Sequence, residues 1–259
     1  MPANDLDLLV DAALVAGRIA VSYAQGGAKK WEKADGAGPV TEADLAVNEM
    51  LAATLPIARP SYGWLSEETD DSTDRLDRDK VFIIDPIDGT RSYADGADTW
   101  AHSFAVADRG QITAAVIYLP MLDLMYTAAL GKGAALNGEP LRVSNQPTLT
   151  GARVLATKVT MRRKFWPNEI PEVDRQHRPS LAYRLALVAQ GKFDAMFTFR
   201  PSWEWDIAAG ALIVSEAGGT MTDQTGGPLV FNRPDALLNG IVAATPAVHK
   251  QTLSAMQPA

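Results

Sequence analysis

Residues 81–90 read V-F-I-I-D-P-I-D-G-T, a short run of strand-forming apolar residues that ends in two acids, Asp85 and Asp88, followed by a Gly-Thr turn. A turn needs one Asp or Asn and a glycine; a second acid at the end of an apolar strand has no turn role. A buried strand that carries two carboxylates to its end needs a compensating cation, because an unpaired buried carboxylate takes up a proton rather than stay charged. The natural compensator is a metal ion.

Outward from this strand, apolar spacing predicts a helix over residues 5–23, stopped by Gly26-Gly27. A second helix is expected from Thr41, whose T-E-A-D spacing is that of a capping box, to Pro56. After the 81–85 strand come β candidates at 103–107, 112–119, 124–128 and 134–136, parted by turn signals such as Asn137-Gly138, which together predict an antiparallel meander. The second half alternates: strand 154–157, helix 180–190, strand 193–199, helix 207–217 and strand 240–244. That rhythm implies a mixed α/β (α+β) chain of sheets covered by helices. The segment 158–179, rich in proline and charge, carries no clear element signal.

Composition limits the function. The chain has 259 residues, 47% apolar and 21% charged, enough to bury a substantial core, and no cysteine, which excludes disulfides, thiolate zinc sites and cysteine nucleophiles and fits a reducing compartment; cytoplasm is the expectation. The opening carries acids where a secretory leader carries basic residues, and no apolar run reaches the roughly 20 residues of a membrane span. A net charge of −7 argues against nucleic-acid backbone binding, and the basic run Arg162-Arg163-Lys164 reads as a solvated loop face. No dinucleotide-binding glycine pattern, phosphate-binding loop or nucleophile-elbow motif occurs, and the three histidines show no ligand or acid/base spacing.

Other acids could converge with Asp85 and Asp88. Glu67 and Glu68 follow the apolar Trp64-Leu65-Ser66, and Asp206 opens the late helix. Each has an ordinary reading of its own: a solvated acidic run for Glu67-Glu68, a first-turn acid for Asp206, and the capping box for Asp44.

Taken together, D-P-I-D-G-T at 85–90, S-E-E at 66–68, V-T-E-A-D at 40–44 and W-D-I-A-A-G-A-L-I-V-S-E-A-G-G at 205–219 resemble the inositol monophosphatase superfamily of magnesium-dependent phosphatases. The resemblance runs over nearly the whole chain. It implies a layered αβαβα sugar-phosphatase fold, a single phosphatase unit with an α+β half about 1–145, an α/β half about 146–259 and a metal site between them, a homodimer, and lithium sensitivity. It also implies two or three Mg²⁺ ions: one held by Glu67, Asp85 and the carbonyl of Ile87, another by Asp85, Asp88 and Asp206. Hard oxygen ligands suit Mg²⁺, and ions about 3.5–4 Å apart can clamp attacking and leaving oxygens. The resemblance further implies that water attacks phosphorus in line, its proton drawn toward Thr90, oriented by Asp44, while Gly89 and Thr90 offer backbone N–H groups to phosphate.

The expected substrate is a small phosphorylated metabolite, with no nucleic-acid or membrane partner expected. Inositol-hydrolysing members commonly carry an acid seven positions before the metal-binding Asp, where this chain has Phe199, which cannot accept sugar hydroxyls; Arg200 follows. The Arg200 context resembles the branch that hydrolyses 3′-phosphoadenosine 5′-phosphate, whose second phosphate suits a guanidinium fork. That substrate leads, with inositol 1-phosphate next. The Gly-Thr-Arg ending of the motif also occurs in the histidinol-phosphatase branch. A catalytically inactive metabolite-binding protein is the reading from a different class, weakened because every acid of the site is retained. Arg91 is a further candidate substrate contact, Trp203 and Trp205 are loop anchors or covers for a base, and Pro179-Ser180 replaces the family's usual Gly-Ser pair.

Overall fold

The structure, a computed structural model, describes residues 4–33 and 38–257. The chain opens with α1 (Asp5–Gly26), the hairpin of β1 (Lys30–Glu32) and β2 (Pro39–Thr41), α2 (Glu42–Ala58), β3 (Gly63–Ser66), β4 (Lys80–Asp88) and α3 (Thr90–Ala94). The meander follows as β5 (Ala101–Asp108), β6 (Gln111–Leu119), β7 (Leu124–Ala129), β8 (Ala134–Leu136) and β9 (Glu139–Pro140). The second half comprises β10 (Arg153–Ala156), β11 (Asp174–Gln176), α4 (Leu181–Ala189), β12 (Ala195–Thr198), β13 (Ser202–Trp203), α5 (Glu204–Glu216), β14 (Thr220–Thr222), β15 (Leu237–Leu238), β16 (Ile241–Ala244) and α6 (Pro246–Met256).

Two sheets organise the molecule. The larger runs β3 to β9 in sequence order, antiparallel except for the β3–β4 pair; the smaller has order β11-β10-β12-β16-β14. Strand alternation sorts side chains between layers. Phe82 and Ile84 of β4 pack on α1 and α2, whereas Val81 and Ile83 point to the opposite core, formed with α4 and α5. That core also takes Leu155, Met196 and Ala243 from one face of the smaller sheet, while Val154, Phe197 and Val242 on the other face meet Trp166 and Val248 of α6. The layers are therefore α, β, α, β, α, as the motifs imply. Close packing of the middle layer depends on Gly210: a Cβ there would lie 2.3 Å from a Leu185 methyl, so α5 approaches α4 as only glycine permits.

Several elements differ from their sequence expectations. Helix α2 passes through Pro56 to Ala58 because a proline in the last turn deprives only the carbonyl of Ala52, which is exposed to water. Helix α5 begins at Glu204, so Asp206 is its third residue, not the opening one. The 158–179 segment forms a short 3₁₀ turn at Arg163–Phe165 and strand β11, anchored by the fully buried Trp166. Among the described residues no helix is long and apolar enough to cross a membrane.

The largest departure lies in the opening motif itself. Strand β4 does not end at residue 85 but continues to Asp88, with the β4–β5 register shifting: Asp85 pairs with Ser103 and Asp88 with Ala101. Pro86 and Ile87 thus stand opposite the single residue His102, which makes a β-bulge. In a regular strand, residues three apart face opposite ways. The extra residue restores parity, so Asp85 and Asp88 project to the same face, toward α4 and α5, while Ile87 joins the core on the α1/α2 side.

Candidate active site

The acids meet where β3, β4, α4 and α5 converge. Oxygen atoms of Glu67, just past β3, Asp85 on β4 and Asp206 in the first turn of α5 all lie within 4.8 Å of one another. Asp85 is buried, and neither of its oxygens has a hydrogen-bond partner. Asp88 lines the same cavity, but one of its oxygens is committed: it accepts from Ser180 Oγ at 2.6 Å and from the Ala182 N–H at 2.5 Å, at the start of α4. Ser180 also caps that helix by accepting from the Tyr183 N–H at 2.9 Å.

These carboxyls are energetically expensive as anions. Burial pushes Asp85 well above the usual carboxylate range, and Glu67, Asp88, Asp206 and Asp44 push in the same direction. Asp206 rises likewise, through burial, then Asp88 and Glu67, against the pull of Arg200 and Arg184. Asp88 reaches about 6 through burial, restrained by its bonds to Ser180 and Ala182. A cluster of this kind stays ionised only if cations enter it, and a multivalent hard cation matches an all-oxygen donor set. The unpartnered oxygens of Asp85 are the clearest sign that the residues present fit such an ion.

A hydrogen-bonded chain lies beside the cluster. Asp44, third residue of α2, accepts through Oδ2 from the Thr41 N–H (2.9 Å) and Thr41 Oγ1 (2.5 Å), which completes the expected capping box. Its other oxygen faces Thr90 Oγ1 at 3.2 Å, and Thr90 Oγ1 is also 3.1 Å from the Ile87 carbonyl. Capping and site roles therefore use different oxygens of one carboxylate. Burial pushes Asp44 up to about 6, against the Thr41 bonds. Gly89, at φ 94°, supplies the left-handed turn between β4 and α3, with Ser180 against its α-carbon.

A cavity of about 750 Å³ opens over these groups, and its lining includes Lys164, Arg184 and Arg200 together with Phe165, Phe199 and Arg91. Lys164 therefore belongs to the cavity rather than to a purely solvated loop face, and sits 4.6 Å over the Phe165 ring. Trp203 and Trp205 stack on each other 4.8 Å apart but line no part of the cavity, so the sequence suggestion that they cover a base is not met.

Three residues went unread in the sequence. Lys33 bridges Glu67 Oε1 (2.8 Å) and Glu68 Oε1 (2.7 Å). Burial pushes Glu68 up to about 7 against that pairing. Arg184 is buried in α4, donating to the Pro179 carbonyl (2.8 Å) and to His177 Nε2 (3.0 Å), which must be the acceptor because a guanidinium only donates. A charge inside the otherwise apolar run L-A-Y-R-L-A-L-V-A was the available signal for Arg184. Lys33 and His177 had none beyond their type.

The model of the inositol monophosphatase family matches residues 2–258. An inositol-1-monophosphatase of Mesorhizobium japonicum is 34% identical, covering 97% of this chain and 96% of that protein. The Nus factor SuhB of Escherichia coli K12 is also 34% identical, over 97% and 95% of the two chains. Among solved structures, an IMPase from Thermotoga maritima superposes with a TM-score of 0.82 at 26% identity, covering 97% and 96%. The chain belongs to the inositol monophosphatase family and is a phosphatase, a phosphoric monoester hydrolase of a magnesium-dependent family. These relatives carry inositol-1-monophosphatase and SuhB names; the bisphosphate branch read from Arg200 is not among them.

Proposed function

We propose that the chain hydrolyses a small phosphomonoester with the help of two or three Mg²⁺ ions, at a site between its halves of about 1–145 and 146–259. The observation that carries this is Asp85, buried with two unpartnered oxygens among Glu67 and Asp206. Glu67, Asp85, Asp88, Asp206 and the Ile87 carbonyl would hold the ions. When bound, such ions stabilise charge on phosphate oxygens and make water a better nucleophile. The Thr90 hydroxyl receives the proton of the attacking water as it passes its own toward Asp44, whose carboxyl near 6 is poised to accept it near neutral pH. Gly89 and Thr90 present backbone N–H groups to the phosphate, and Arg91 stands at the cavity edge.

The cations Lys164, Arg184 and Arg200 in the cavity lining favour a substrate with a second anionic group, and 3′-phosphoadenosine 5′-phosphate has one. The apolar Phe199 offers no acceptor to sugar hydroxyls. Inositol 1-phosphate is the second reading, favoured by the name of the Mesorhizobium relative. Comparing kcat/KM for the adenosine bisphosphate, inositol 1-phosphate and histidinol phosphate at one Mg²⁺ concentration tests the choice. The bisphosphate should win, and Arg200→Ala should lower its kcat/KM while sparing the monophosphates. A clear preference for inositol 1-phosphate sinks this use of Phe199 and Arg200.

A further inference from the structure

His102 lies on β5 opposite the two bulged residues Pro86 and Ile87, on the α1/α2 side of the sheet, behind the acids. It is completely buried, and its Nδ1 meets the Pro86 carbonyl oxygen. A carbonyl only accepts, so Nδ1 carries the ring proton. Nε2 is then a bare acceptor, and it has no partner. The ring is caged edge-on by Trp100 (5.5 Å) and stacked on Phe104 (5.7 Å), with Tyr118 at 6.3 Å. An apolar side chain would fill this cage without stranding a polar atom; what histidine adds is the hydrogen bond to Pro86. Burial holds its pKa down near 4, so the ring is neutral around pH 7 and exerts no charge attraction on the acids.

The Pro86 carbonyl belongs to the peptide plane that joins Pro86 to Ile87. Proline gives that stretch no N–H with which to join the ladder, so β5 cannot fix the bulge by accepting a backbone bond from Pro86. We propose that His102 is a positioning residue: its Nδ1–H grips the Pro86 carbonyl, locks the bulge, and so keeps Asp85 and Asp88 on one face for cation binding. This rests on the reading of those acids as ion ligands. Groups that orient metal ligands from behind commonly change metal affinity by about 10–100-fold when removed.

The test is Mn²⁺ titration followed by the electron paramagnetic resonance of the free ion, on wild type, H102F and H102N. Phenylalanine keeps the ring in its cage without a donor; the asparagine amide nitrogen sits at the same reach from Cβ as Nδ1 and restores the donor. H102F should bind Mn²⁺ at least about tenfold more weakly with a melting temperature near that of wild type, and H102N should return to within about threefold of wild type. If H102F melts far below wild type, H102L, smaller and likewise without a donor, replaces it with the same expectation. Wild-type affinity in the variant without a donor overturns the role, as does equal weakening with and without the asparagine donor. If wild type itself binds no Mn²⁺, the ion-site reading fails, and this inference with it.

Discussion

Replacing Asp44 by Asn should make the protein more stable and less active, for one reason. The buried Asp44 carboxyl titrates near 6 instead of 3.8, so keeping it ionised at pH 7 costs the metal-free folded chain about 3 kcal/mol. Asparagine mimics the uncharged form: its carbonyl takes the Thr41 N–H, and its amide faces Thr90 Oγ1, which then donates to the Ile87 carbonyl. At roughly 2–4 °C per kcal/mol for a chain of this size, D44N should melt roughly 6–12 °C above wild type in EDTA at pH 7. A group whose folded pKa is raised loses stability as pH rises through that pKa. The gain should therefore shrink as pH falls from 6 toward 4 and vanish below, where wild type is protonated whether folded or not. Turnover should fall by about a hundredfold or more, since an amide cannot accept the proton relayed through Thr90. Calorimetry across pH 4–8 with EDTA, beside phosphate release in Mg²⁺, reads both arms. A variant that melts at or below wild type at pH 7, or that keeps wild-type turnover, refutes the reasoning.

Asp88→Asn keeps an oxygen for Ser180 and Ala182 but loses the charge, so turnover should drop by at least about a hundredfold with an unchanged circular dichroism spectrum; near-normal turnover would take Asp88 out of the site. Gly210→Ala drives a methyl into Leu185 and should cost about 1–3 kcal/mol, seen as a lowered melting temperature. Millimolar Mg²⁺ should raise the melting temperature at pH 7 and less so at pH 5, because protons held by Asp88 and its neighbours then compete with the ion; an equal shift at both would mean the ion binds elsewhere.

The layered fold was legible because its elements carry strong local signals. The meander strands β5–β8 were expected at nearly their observed limits, and the Thr41 capping box marked the start of α2 to the residue. Helix α6 was missed although Thr245-Pro246 is a start signal, a cap followed by proline at the first helical position. The short strands β1, β2, β13 and β15 have too few residues for any period to show. At the site, Asp85 and Asp88 were readable as costly acids at a strand end, and Glu67, Asp206 and Asp44 joined them through the family resemblance. How they come to share a face was not. Residues three apart on a strand point opposite ways, and only the register opposite His102 reveals the bulge that turns Asp88 back toward Asp85. Lys33 was hidden for a related reason: its partner Glu67 lies 34 residues away in sequence.

Buried acids aligned by this bulge would make phosphate transfer to water depend on a divalent cation. Phosphate release from a small phosphomonoester, measured with the same purified enzyme in millimolar Mg²⁺ and in excess EDTA, tests it most directly. Release should be rapid in Mg²⁺, lost in EDTA and recovered when Mg²⁺ is restored. Equal rates in the two conditions would contradict it.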